Sequence, residues 1–283
     1  MSFINVNWYI ALAFCFIFFI GGRQLAEVPG GNPRGRRTAG LILFAFAAPA
    51  VLFPLAYISA PIAATPWYNT FRSIDRIELF SALIAPAAGF STYRKPDLPY
   101  REVRRPVSPL MRVLKPLAFP LCLLFVSINF ARPLVQPLDK DMAFDEHWAD
   151  NAVLLKSSDQ TGGPAALVSA MYSLNSYAGY EYDTAKGTYT DGAGTEFWYL
   201  ARYATNRGYR AKFSKPPGIE DAPAPSIIPL QGAGDYIALL RRSDDGTLTV
   251  GDPVAGRLEL SPHEYLSIYG EPELVLSLSV PRH

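Results

Sequence analysis

Reactive side chains are scarce in this chain, and most of them stand where they cannot cooperate. Cys15 and Cys122 are the two cysteines among 283 residues, and both fall inside long apolar segments. The more polar second half therefore has no thiol nucleophile, disulfide or cysteine metal ligand of its own. The three histidines, His147, His263 and His283, are scattered. His147 with Asp145 and Glu146 sketches a metal set, but acidic residues just outside an apolar segment are ordinarily solvated, so no metal and no other cofactor is expected. What remains is hydroxyls and carboxylates. Ser158 and Thr161 precede a helix-forming run, while Asp235 and Asp252 accompany strand-like runs. A hydroxyl becomes a nucleophile only with a base in hydrogen-bond reach, and here the strand offers a carboxylate. The sequence has no Gly-Lys-Ser/Thr phosphate loop, no His-Glu-x-x-His pair and no dinucleotide-binding glycine fingerprint. A formal net charge of +1, with no basic patch interleaved with aromatics, gives no reason to expect nucleic acid.

The elements that must position these groups lie in residues 141–283, a domain-sized stretch of ordinary globular composition. Thr161-Gly162-Gly163-Pro164 reads as a turn into a helix over 165–177, with Pro164 at a first-turn position. A second helix is predicted from Thr195 as N-cap, with Phe197, Leu200 and Ala204 on one face and a stop at Gly208. Strands are predicted at 226–230, 235–241, 247–250, 257–260 and 274–280, punctuated by turns such as Asp245-Gly246, and the proline-rich stretch 215–225 reads as a surface connection. Helices followed by a strand-rich part imply an α+β domain, an antiparallel sheet with the first helix packed on it. Tyr180, Tyr182 and Tyr189 fall in a loop-like stretch rich in glycine and threonine, where exposed aromatics would suit contact with another protein.

Residues 1–135 have a different character. Apolar blocks at 4–21, 39–61, 77–93 and 114–131 are separated by arginine-rich loops. A bilayer crossing takes about 17–25 mostly apolar residues, which predicts a membrane region of about four helical spans, with kinks at Pro49 and Pro54 in the second. The third is short and begins beside Glu78, so a re-entrant or buried helix is the alternative there. Arg23, Arg34, Arg36 and Arg37 follow the first block, and Arg94, Lys95, Arg101, Arg104, Arg105, Arg112 and Lys115 separate the third from the fourth. The positive-inside rule puts both loops in the cytoplasm and residues 141–283 on the periplasmic or extracellular side of an inner (cytoplasmic) membrane. No acid, histidine or lysine stands at the centre of a predicted span, so transport is not expected.

Within 155–167 the chain reads Lys156, five residues, then Gly162-Gly163-Pro164-Ala165-Ala166-Leu167. Downstream come Gly194-Thr195, then Asp235-Tyr236-Ile237-Ala238-Leu239, then Gly251-Asp252-Pro253 with Gly256 and Leu260-Ser261. This series resembles the papain-like cysteine peptidase domains that process bacterial bacteriocin precursors at double-glycine leaders. Their pattern is Gln, five residues, Cys-Gly-Pro-Ala-Ala-Leu, with a histidine opening a later strand and an Asp-Pro segment after it. The resemblance covers about 153–280, roughly half the chain. It implies the same fold and, by the same token, a site that has lost its parts. The nucleophile position holds Gly162, the histidine position Asp235 and the oxyanion glutamine position Lys156; only the orienting acid is kept, as Asp252.

The expectation is therefore a membrane-anchored pseudoenzyme, not an active peptidase, that binds or scaffolds a partner protein or peptide as an accessory subunit of a membrane complex. Lys156, Gly162, Asp235 and Asp252 would line the former cleft, with a salt bridge from Lys156 to Asp235 or Asp252 filling it. A hydrolase with a non-cysteine nucleophile and a purely structural cap are the competing readings. The lipid bilayer is the other expected partner.

Overall fold

The computed structural model describes residues 3–27, 33–55, 59–92, 109–128, 132–139, 142–150, 152–174, 179–230 and 235–281. The basic stretch 94–105, the turn at 30–32 and Tyr177 lie outside these residues. In chain order the main helices are α1 (Val6–Glu27), α2 (Pro33–Ala47), α3 (Pro66–Ser73), α4 (Ile84–Thr92), α5 (Pro109–Ile128), α6 (Gly162–Leu174), α7 (Glu181–Gly187), α8 (Phe197–Asn206) and α9 (Pro262–Tyr269). The strands are β1 (Trp148–Ala149), β2 (Val153–Leu154), β3 (Arg210–Ser214), β4 (Ser226–Pro229), β5 (Tyr236–Arg242), β6 (Leu248–Asp252), β7 (Gly256–Leu260) and β8 (Val275–Ser279). The chain divides into a helical unit, Asn5–Ile58 with Arg76–Ala131, and an α+β unit, Met1–Ile4 with Ser59–Asp75 and Arg132–His283.

In the helical unit one helix, over Val6–Ala26, is long and apolar enough to cross a membrane among the described residues. The other apolar helices, Thr38–Leu52, Ile77–Thr92 and Pro116–Ser127, are shorter. The expectation of four spans at 4–21, 39–61, 77–93 and 114–131 is thus corrected to one helix of spanning length, and the reason is local. In the second segment α geometry ends at Ala47 and gives way to a 3-10 turn, Ala48–Leu52, which contains Pro49; proline offers no amide donor and its ring clashes with the preceding turn. The third opens after Arg76, whose φ of 55° is left-handed, as a 3-10 helix, Ile77–Leu83, before becoming α4. In the fourth, α5 continues through Pro116 and Pro120, but its apolar part is confined to Pro116–Ser127, after Arg112 and Lys115.

Helices α1 and α4 meet through glycine. A Cβ on Gly22 would lie 2.1 Å from the carbonyl oxygen of Pro86, and one on Gly89 would lie 2.0 Å from that of Phe19. Backbone therefore touches backbone at both points, the close approach that small residues permit between apolar helices.

The α+β unit is built on a six-stranded antiparallel sheet in the order β3-β8-β4-β5-β6-β7. Its strands alternate as a sheet covered on both faces requires. Along β5, Tyr236, Ala238 and Leu240 join α6 and α8 in one core, while Ile237 and Leu239 join Ile219 and Tyr265 of α9 in the other. Helix α6 lies in the larger core, buried continuously from Gly162 to Met171.

Several sequence expectations shift. The first helix starts three residues before 165, at Gly162. The second is capped by Glu196, which makes no side-chain cap bond; Thr195 Oγ1 instead pairs with Thr190 Oγ1 at 2.6 Å. The tyrosine-bearing stretch is not a loop but contains α7, and both β3 and α9 are additions. The expected boundaries at 135 and 141 do not coincide with the units, because α3 belongs with the C-terminal part. Arg72 of α3 lies with its guanidinium 4.2 Å from the Trp198 ring centroid and donates to the Tyr68 hydroxyl at 3.0 Å. Arg202 Nη2 donates to the Arg72 carbonyl at 2.7 Å.

The glycine contacts generate a test. Gly22→Ala and Gly89→Ala each force two backbones apart and are expected to destabilise the helical unit by about 1–3 kcal/mol. Gly21→Ala, where nothing lies within 4 Å of the added carbon, is expected to be neutral. Thermal unfolding in detergent of the three variants checks this, and equal midpoints for all three would contradict the packing.

Candidate functional site

The site is assembled where the segment 156–161 enters α6 beside the start of β5. The Lys156 amide donates to the Pro253 carbonyl at 2.8 Å, which holds this segment against the turn after β6. The Lys156 side chain is only 14% exposed, and its Nζ lies 3.2 Å from Asp235 Oδ1 and 3.4 Å from Asp159 Oδ1. Asp235 is about half exposed and Asp159 almost fully so. The structure thus brings Lys156 and Asp235 together as an ion pair.

Asp252 is not part of that pair. Its Oδ1 accepts from the amides of Val254 at 2.7 Å and Ala255 at 3.2 Å, and its Oδ2 accepts the Tyr269 hydroxyl at 2.6 Å. Aspartate closes its own turn in this way when it begins one. Burial, together with the bond to Asp252, pushes the Tyr269 hydroxyl up, so that it stays a donor at neutral pH.

Gly162 is the first residue of α6 and is buried, as is Thr161 before it. Next to them, a Cβ on Gly163 would come within 3.1 Å of the Tyr236 ring and 3.2 Å of Thr195 Cβ. Tyr236 is itself fixed by a 2.6 Å bond from its hydroxyl to the Thr195 carbonyl. The hydroxyls near the helix start are occupied with each other and with backbone: Thr161 Oγ1 accepts from the Ser158 amide and donates to the Ser158 carbonyl, both at 3.1 Å. This packing does not leave the helix start as an open anion site.

The tyrosines separate. Tyr180 precedes α7 and is 55% exposed. Tyr182 stands edge-on to Phe3 at 5.7 Å and Phe144 at 5.2 Å, packed by the chain's own N-terminal and post-helical segments. Tyr189 adopts a left-handed φ of 54° and packs on Tyr199 at 5.0 Å, on the α8 side. Tyr189 thus makes its contact on α8, whereas Tyr180 and Tyr182 stand at the start of α7. Of the sketched metal set, His147 Nδ1 lies 3.5 Å from Asp145, both exposed, whereas Glu146 accepts the Glu181 amide at 2.9 Å. Among the described residues no three His, Cys, Asp or Glu side chains converge.

Sequence reasoning missed Glu181. Its carboxylate is fully buried, accepts the Ser157 amide at 2.9 Å and takes a short bond from the Ser157 hydroxyl. Glu181 and Glu146 thus tie the segment around Glu146, the segment around Ser157 and the start of α7 to one another. Burial raises the Glu181 carboxyl above the ordinary carboxylate range, and the Ser157 bonds work against that shift. Only its place in the first turn of α7, where an acid suits the helix dipole, could have drawn attention to it.

No family model matches the chain, and no curated protein matches it. Among solved structures it is similar to the peptidase domain of Streptococcus ComA, a bi-functional ABC transporter involved in quorum sensing. That match has 17% identity and a TM-score of 0.40 over 46% of this chain and 99% of that one. It is also similar to a double-glycine-motif protease from an AMS/PCAT transporter in complex with the leader peptide, at 13% identity and TM-score 0.38 over 52% and 99% of the two chains. A third is the peptidase domain of Streptococcus mutans ComA, at 19% identity and TM-score 0.35 over 45% and 98%.

The buried carboxyl generates a pH prediction. Because Glu181 binds its proton more tightly folded than unfolded, its contribution to stability is largest below the unfolded value of about 4.3 and declines as pH rises through the folded value. Glu181→Gln keeps an acceptor for the Ser157 amide and removes that titration. Melting temperatures of the variant are expected to fall less than those of the parent between about pH 4 and pH 7. Asp191, also raised by burial, is present in both proteins and cancels. Parallel profiles would refute the assignment.

Proposed function

We propose that this chain is a membrane-anchored, catalytically inactive peptidase-like protein that binds or scaffolds a partner protein, as an accessory subunit of a membrane complex. The observation that carries the reading is the 3.2 Å pair between Lys156 and Asp235. In the enzymes that the sequence resembles, those two positions hold the oxyanion donor and the general base, and here each neutralises the other. A cysteine mechanism needs a thiolate at a helix start, a base for its proton and a donor for the oxyanion. The helix start is Gly162, and the chain's two thiols, Cys15 and Cys122, are in α1 and α5. Asp252, the remaining acid, is committed to a turn and to Tyr269.

Anchoring rests on α1. A helix apolar on every side belongs to a core or to a membrane, and only 22% of its apolar window is buried within the protein. With the basic loops assigned to the cytoplasm, the α+β unit is displayed on the periplasmic or extracellular side.

A hydrolase with a hydroxyl nucleophile is the second reading, favoured by the Ser157–Glu181 contact. Against it, the Ser157 amide is also drawn to Glu181, so the same carboxylate holds the backbone as well as the hydroxyl.

Full-length tagged protein isolated in mild detergent from its native membrane is expected to bring down a stoichiometric partner. Tyr180→Asp or Lys156→Ala is expected to weaken that capture about tenfold while leaving the melting temperature within a few degrees. A protein that purifies alone favours a structural cap, and fluorophosphonate labelling abolished by Ser157→Ala favours the hydrolase.

A further inference from the structure

The α+β unit is not one continuous stretch of chain. It contains Met1–Ile4, Ser59–Asp75 and Arg132–His283, and each piece is built into it. Phe3 packs with Leu138 and Ala185. Tyr68 and Arg72 are buried, and the Trp198 ring faces both of them. Arg132 pairs with Asp191 at 3.2 Å and also with Glu196. Three pieces of one folded body must lie on one side of any membrane the chain enters. This consideration is independent of helix length and of loop charge.

We infer that residues 5–58 and 76–131 each make a round trip through the bilayer, so that the chain crosses it four times despite having one helix of full spanning length, and that α3 lies on the same side as the peptidase-like domain. The inference rests on α1 being a membrane anchor. If α1 crosses, the chain must return before Ser59, and the apolar stretch available is Thr38–Leu52. Its side chains fit lipid: Leu41 is 72% exposed, Phe44 59% and Phe46 62%. The second excursion has apolar helices on both limbs, Ile77–Thr92 and Pro116–Ser127, with Leu124 60% exposed.

The occupant of these faces is lipid hydrocarbon, not a second protein, because charge is arranged between the helices as a membrane requires. In the first excursion, Arg23 near the end of α1 and Arg34, Arg36 and Arg37 at the start of α2 flank the link between the two helices, and in the second Arg94, Lys95, Arg101, Arg104 and Arg105 fall in the sequence between α4 and α5. Both stretches are rich in arginine, as is expected where chain meets anionic headgroups on the cytoplasmic face. The shortfall in helix length is met by local thinning of the bilayer, at fractions of a kcal/mol per ångström of mismatch.

Single cysteines in a Cys15→Ala/Cys122→Ala background test this, read with a membrane-impermeant maleimide on spheroplasts before and after permeabilisation. Thr70→Cys and Val254→Cys, both at exposed positions of the α+β unit, are expected to label equally from outside. Thr38→Cys, in the first part of α2, and Asp97→Cys, between α4 and α5 in sequence, are expected to label at least tenfold more after permeabilisation. Labelling of Thr38→Cys from outside as readily as Thr70→Cys, or of Thr70→Cys and Val254→Cys from opposite sides, overturns the inference while leaving an anchored protein. Release of the parent protein by alkaline carbonate overturns the anchor itself, and the inference with it.

Discussion

The structure of the α+β unit depends on enclosing one helix. From Gly162 to Met171 α6 presents no residue to solvent, and a helix without a polar face has to be covered on all sides. Ile227, Tyr236, Ala238, Leu276 and Leu278 of the sheet cover it from below, and Leu200, Ala201 and Ala204 of α8 from the side. Its one buried hydroxyl, Ser169, is used on both counts, accepting from the Leu154 amide at 2.9 Å and donating to the Ala165 carbonyl at 2.9 Å. Each large aliphatic side chain so removed from water contributes about 1.5–3 kcal/mol. Close packing extends to the helix start, where Gly163 leaves room for the Tyr236 ring and Thr195.

That enclosure governs the chemistry available at the helix end. Thr161 is buried with its hydroxyl bonded to the Ser158 carbonyl, and Gly162 has no side chain. The charged groups nearby are arranged for holding the fold. Lys156 is placed by its own backbone bond to Pro253 and by the loops that Glu181 and Glu146 tie together, and its ammonium meets Asp235. A partly exposed ion pair of this sort adds little stability, of the order of 1 kcal/mol or less. What it does is join the segment that enters α6 to the start of β5.

A second constraint comes from α3. Two guanidiniums, Arg72 and Arg202, are almost completely buried and lie over aromatic rings, Arg72 over Trp198 and Arg202 over Tyr199. Arginine tolerates such places because its charge is spread over a flat, weakly hydrated group that stacks on rings. Since Arg202 also bonds to the carbonyls of Arg72 and Ser73, a segment far upstream in sequence becomes part of the domain. The α+β unit is therefore assembled from stretches far apart in sequence, Ser59–Asp75 and Arg132–His283 among them.

What was legible in the sequence was whatever short-range chemistry decides. Alternation along Tyr236–Arg242 and Val275–Ser279 marked strands, the Gly-Pro turn marked the entry to α6, and Gly208, with a φ of 90°, marked the stop after α8. The missing thiol in the second half was a matter of inventory. The capping box at Ser261 and Glu264, which starts α9, was readable and was passed over. Helix lengths in the apolar half were less secure, because proline and a left-handed residue break segments whose composition alone looks continuous. Other features had no local signature. The burial of Glu181 against Ser157, the docking of α3 on Trp198, the diversion of Asp252 to Tyr269 and the pairing of Arg132 with Asp191 join residues 17 to 130 positions apart. Contacts of that separation exist only once the sheet and its two cores have formed, so composition and spacing determined the elements and the inventory of the site, and tertiary packing decided which charges meet.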